Sequence, residues 1–196
     1  MNIAILGWGS LINEPRDLPI KGNWQSDGPE LCIEFSRISQ RGERADCLTL
    51  VIDERCDSTV TVLYVLSKRS NLQQAIEDLR QREGTELNNI GFYQVETERV
   101  APIALRRHPK SCETIQIWAQ VKDFDAVIWT ALSRRFKDAI GIPFNPSAAL
   151  NYLNGLCAPT KEKALQYIQN TPPQIMTPFR KLLSAQLEMT TANTRA

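Results

Sequence analysis

Ile3-Ala4-Ile5-Leu6-Gly7-Trp8-Gly9-Ser10-Leu11-Ile12 begins almost at the start of the chain. Four apolar residues, two of them β-branched, predict a buried strand. Gly7-Trp8-Gly9-Ser10 then predicts a tight loop. Two glycines two apart allow φ > 0 and leave the amides uncovered. Consecutive N–H groups in such a turn can converge on one anion. Ser10 adds a hydroxyl, and Trp8 adds a large apolar wall with one donor. The plainer alternative is an ordinary strand-to-loop turn with Trp8 in the core. No Gly-Lys-Ser/Thr follows, so the loop is not a P-loop. The third glycine of a dinucleotide fingerprint is also missing.

Outward from that loop, residues 13–29 are rich in Pro, Gly and polar side chains and predict a long irregular connection anchored by Trp24. Residues 31–37 alternate apolar and polar, as a half-buried strand does. Residues 47–52 and 59–66 predict two more strands, the last rich in β-branched residues. A turn separates the first two at 40–44. Three strands this close predict an antiparallel sheet or barrel. Ser36 and Arg37 fall on the first of them, where Arg37 either holds a carboxylate or lies on the surface.

The period then changes. Asn71 supplies an N-cap, and Leu72, Ala75, Ile76 and Leu79 recur at helical spacing. Gly84 stands where a C-terminal cap belongs. Glu83 therefore sits at the negative end of a helix dipole, which disfavours its charged form and suits a general base. A solvated surface glutamate among Arg80, Arg82 and Glu86 is the alternative. Strands are expected at 91–97, 100–105 and 114–121. The run 125–132 fits either a strand or a helix. Helices are expected from Pro146 to Leu153, from Thr160 to Ile168 and from Thr177-Pro178 onward.

With 196 residues and a net charge of +1, the chain suits one domain with an extension and offers no bulk charge for nucleic acid. No apolar run reaches the length of a membrane span, and no signal-like start is present, so a cytoplasmic protein without membrane contact is expected. Cys32, Cys47, Cys56, Cys112 and Cys157 are odd in number and form no CxxC pair. That argues against a disulfide framework and against a zinc site. His108, the one histidine, lies in Arg106-Arg107-His108-Pro109-Lys110, which predicts an exposed basic turn. A cysteine hydrolase built on Cys112 or Cys47 would depend on that histidine and is disfavoured.

Taken together, Gly7-Trp8-Gly9-Ser10-Leu11, the segment Leu79-Arg80-Gln81-Arg82-Glu83-Gly84 and the following Gly91-Phe92-Tyr93 resemble the γ-glutamylcyclotransferase-like superfamily. The first resembles that family's Tyr-Gly-Ser-Leu loop, with Trp8 in place of tyrosine. The second resembles the segment that ends in its catalytic Glu-Gly. The third resembles the strand whose tyrosine lines the pocket. The resemblance implies an α+β fold, a small mixed β-barrel with flanking helices, over residues 1–121. A mostly helical C-terminal extension over 122–189 and a disordered polar tail over 190–196 complete the expected layout.

The resemblance also implies conversion of a γ-glutamyl compound to 5-oxoproline and a free amine, with Glu83 as general acid/base. Gly7, Trp8, Gly9, Ser10, Leu11 and Tyr93 would bind the substrate. The reaction is an intramolecular ring closure, so the protein mainly selects the folded conformer and moves one proton. It calls for no cofactor, no metal and no partner beyond the small γ-glutamyl substrate. A non-catalytic small-molecule-binding or protein-interaction domain on the same fold is the competing expectation.

Overall fold

A computed structural model describes residues 1–40, 42 and 45–194. The first strand forms as its apolar run predicts: β1 (Ile3–Gly7) is buried along its whole length. It lies inside a six-stranded mixed sheet. Its antiparallel neighbour is β7 (Leu63–Ser67), flanked at the edge by β2 (Ile20–Gln25). Its parallel neighbour is β10 (Ala126–Thr130), followed by β8 (Ile90–Gln94) and β9 (Arg99–Val100). The sheet is therefore open, with β2 and β9 at its edges, and does not close into the expected barrel. The remaining strands form two separate ribbons: β3 (Glu30–Leu31) with β6 (Val60–Thr61), and β4 (Ile33–Ile38) with β5 (Leu48–Ile52).

Strand periodicity divides the core in two. Ile3, Ile5, Val65 and Ile128 point to one face and pack against Ala75, Ile76 and Leu79 of α2 (Leu72–Glu83). Ala4, Leu6, Tyr93, Val127 and Trp129 point to the other face. That second face is covered by the two ribbons and by the helices α4 (Pro109–Val121), α6 (Pro146–Gly155), α7 (Ala158–Gln169) and α8 (Pro178–Thr194). Three short helices, α1 (Ser10–Asn13), α3 (Pro102–Arg107) and α5 (Phe136–Ile140), and a 3-10 turn at Leu87–Asn89 complete the element order.

Several elements differ from the sequence expectation. Residues 114–121 belong to helix α4, not a strand. The alternation of Ile115, Ile117, Ala119 and Val121 imitates a strand, but the buried residues are Cys112, Ile115 and Ala119, at helical spacing. Ile117 and Val121 are 58% and 78% exposed. Pro102 starts α3 where residues 100–105 suggested a strand, since proline fits a first helical turn. β2 lies within the stretch expected to be irregular. The helix expected from Thr160 starts earlier, at Ala158. β10 is a central strand, so the sheet draws on residues beyond 121. The backbone helix of α8 runs through the expected tail to Thr194. Arg195 and Ala196 of that tail lie outside the described residues, as do Arg41, Glu43 and Arg44 of the turn expected at 40–44.

Gly91 shows how tightly the centre of the sheet is packed. It pairs with Trp129 across β8 and β10, and a Cβ on Gly91 would lie 2.4 Å from a carbon of the buried indole. Gly91→Ala is expected to destabilise the fold by about 1–3 kcal/mol through overpacking, read as a lower urea midpoint with an unchanged slope.

Candidate functional site

The Gly7–Leu11 loop turns without left-handed glycines. Gly22, Gly42, Gly84 and Gly141 have positive φ; Gly7 and Gly9 do not, and Gly9 sits at φ −142°. Their lack of a side chain serves close approach instead. A Cβ on Gly7 would lie 2.7 Å from the Trp24 ring, and one on Gly9 would lie 2.8 Å from the Tyr167 hydroxyl of α7. Tyr167 thus stands against the loop while its hydroxyl accepts the Leu50 N–H at 3.4 Å. Trp8 is buried in the second-face core, and its indole N–H donates to the Leu50 carbonyl at 3.4 Å. Ser10 opens α1, and Leu11 packs on the opposite side of the sheet, beside α2.

Glu83 is the last residue of α2. Asn71 caps the start of that helix by accepting the Gln74 N–H, and Gly84 ends it in the left-handed conformation. Arg82 beside Glu83 has a buried side chain. Its Nη1 meets the Glu83 carboxylate at 2.6 Å, while Nε and Nη2 donate to the Glu14 carbonyl at 3.1 and 2.7 Å. Glu14 directly follows α1. One guanidinium therefore joins the end of the loop to the carboxylate, whose side chain is 18% exposed. This buried link is the feature of the site that a pattern search passes over, because Arg82 reads as one more surface charge beside Arg80.

Tyr93 does not share that location. Alternation along β8 points it to the second face, where it is 1% exposed and its hydroxyl accepts from Gln120 Nε2 at 3.4 Å. Glu83 belongs to the helix packed on the first face. The sheet separates Tyr93 from Glu83, and the loop divides between the faces, Trp8 on one and Leu11 on the other.

His108 also differs from expectation. It is buried between α3 and α4, not exposed in a turn. Burial lowers the proton affinity of its imidazole, against the Glu54 charge and backbone groups of Leu132 and Ala131. Because the folded value is depressed, His108 contributes stability that is present above the ordinary imidazole value of 6.5 and lost as pH falls through the folded value. The drop in urea midpoint between about pH 7.5 and about pH 5.5 should shrink in His108→Leu relative to wild type.

A second constellation lies on the far side of the second face. Glu34 and Ser36 of β4 are fully buried polar residues, and with Asp53 they line a cleft of about 460 Å³. Both Glu34 oxygens are engaged. One accepts the Phe35 N–H at 2.7 Å and the other the Phe179 N–H of α8 at 3.2 Å. Burial pushes the Glu34 carboxyl above its ordinary range, while these donors and Thr177 oppose the shift. Asp53 is buried and accepts from Arg134 and from the Arg55 N–H, both at 3.2 Å. The sequence carries no signal for Glu34 and Ser36: they stand on the polar register of β4, which alternation assigns to solvent, and their burial comes from distant elements packed over them. Arg37, flagged on that strand, donates to the Ser133 carbonyl at 2.7 Å.

Among the described residues, no group of three or more His, Cys, Asp or Glu is placed to hold a metal, and no helix is long and apolar enough to cross a membrane. Compared with known proteins, the chain matches no family model, no curated sequence and no solved structure.

Proposed function

We propose that the protein is a γ-glutamylcyclotransferase-type enzyme that converts a γ-glutamyl compound into 5-oxoproline and a free amine. The substrate's α-amine attacks its own γ-carbonyl carbon, and the bond from that carbon to the leaving nitrogen breaks. Glu83 takes one proton from the α-ammonium to free the attacking amine and a second from the same nitrogen as the ring closes. It passes each in turn to the departing nitrogen, which leaves as an ammonium, so no proton is gained or lost overall. The Gly7–Leu11 amides receive the substrate's α-carboxylate.

The observation that supports this reading is the buried Arg82, which holds the Glu83 carboxylate and the Glu14 carbonyl at the loop's end in one unit. A general base acts only from a fixed position, and a buried guanidinium held by three hydrogen bonds supplies one. Tyr93, buried across the sheet, has no part in this version of the site.

The test is 5-oxoproline release from glutathione, γ-glutamyl amino acids and γ-glutamyl amines. Release from at least one supports the proposal, and its absence from every one with folded protein overturns it. A second reading, a non-catalytic binding or interaction domain, is favoured by Tyr167 standing against Gly9 and by the buried placement of Trp8. It predicts no release from any member of the panel.

A further inference from the structure

The cleft at Glu34, Ser36 and Asp53 lies apart from Glu83 and its loop, and the four acidic and four basic side chains that line it are not all paired with one another. Glu34 is occupied by the backbone at the start of α8, and Asp53 by Arg134 and the Arg55 N–H. Arg135 also lines the cleft, and it has no carboxylate partner among the described residues. Its backbone N–H donates to the Ser36 carbonyl at 3.2 Å, so Ser36 and Arg135 stand on adjoining parts of the wall. The Ser36 hydroxyl is buried and has no hydrogen-bond partner. A buried hydroxyl left unpaired costs stability unless something reaches it.

Two further guanidinium groups reinforce the positive field. Arg37 is held on the Ser133 carbonyl and Arg107 on the Ala131 carbonyl, each at 2.7 Å, and neither meets a carboxylate among the described residues. Burial first, and nearby arginines including Arg135 next, weaken the hold of both on their protons. An anion beside Arg135 would relieve this like-charge crowding. The cleft also has an apolar part: Phe136 and Phe144 line it and meet edge to face at 5.3 Å. Asp57 and Asp138 also line it, as do Arg55 and Lys137.

We propose that this cleft binds a small organic anion, with its carboxylate or phosphate on Arg135 and Ser36 and its apolar body against Phe144. The cleft's volume suits a ligand of that size. The assignment is independent of the γ-glutamyl reaction at Glu83.

Titration calorimetry on the full chain with benzoate, phenyl phosphate, inorganic phosphate and benzylamine tests it. Saturable binding of benzoate or phenyl phosphate is expected, and the better of the two identifies the oxyanion. Inorganic phosphate should bind more weakly, for want of an apolar body. Arg135 is exposed, so Arg135→Gln should keep the fold and weaken binding by about tenfold or more. Ser36→Ala should weaken it to a smaller extent. The proposal is overturned if neither organic anion saturates, if benzylamine binds more tightly than both, or if Arg135→Gln leaves affinity unchanged. None of these outcomes depends on 5-oxoproline release.

Discussion

Replacing Glu34 by alanine is expected to cost the fold about 2–6 kcal/mol, at about 1–3 kcal/mol for each of two buried N–H groups left without an acceptor. The physical reason is the number of groups that depend on it. The substitution leaves the Phe35 and Phe179 N–H groups without their acceptor inside the protein. Phe179 belongs to the first turn of α8, whose N–H groups have no partner within the helix. Thr177 caps the same turn by accepting the Arg180 N–H at 3.2 Å and also hydrogen-bonds Glu34. Glu34 therefore ties α8 to β4. Without it, the packing of Phe179 against Phe35, 5.4 Å apart edge to face, loses its anchor. For a chain of this size, the melting temperature should fall on the order of 10 °C.

Glu34→Gln keeps the volume but aims its amide NH₂ at one of two N–H donors, and should cost less than alanine. Both variants should also change the pH dependence. Since burial raises the folded value of Glu34, the folded chain holds this proton more tightly than the unfolded chain. That contribution is present below the ordinary carboxylate value of 4.5 and is lost as pH rises through the raised value. The difference in urea midpoint between wild type and Glu34→Gln should therefore narrow as pH rises across this window, because wild type loses this contribution and the variant does not.

Glu83→Gln is expected to lower 5-oxoproline release by about 10²–10⁴-fold, the range for a positioned general acid/base. The fold should survive it. The carbonyl oxygen of the introduced amide can still accept from Arg82, and Gly84 still ends α2 in its left-handed turn. Arg82 retains its two hydrogen bonds to the Glu14 carbonyl. The melting temperature should therefore move little while the rate collapses, and that split separates a catalytic role from a structural one.

The elements legible in the sequence are those with local causes. The β-branched run within 59–66 announces β6 and β7, and α2 announces itself through its spacing, Asn71 and Gly84. The parts that were not legible depend on distant residues. Nothing local to Ala126–Thr130 shows that it inserts between β1 and β8, and that insertion carries the sheet past residue 121. α4 imitates a strand in the sequence because Ile117 and Val121 are apolar yet exposed. At the candidate site, the position of Glu83 followed from helix caps. The reach of Arg82 to Glu14, across 68 positions, did not. The resemblance of Gly91-Phe92-Tyr93 puts Tyr93 in one pocket with Glu83, whereas the face of a strand residue is set by its register within the sheet.

The most direct measurement is 5-oxoproline released from the best γ-glutamyl substrate by wild type and Glu83→Gln side by side, with melting temperatures for both. The account predicts release by wild type and near-complete loss in a variant that is still folded. Equal release by the two proteins would contradict the assignment of Glu83 as the base.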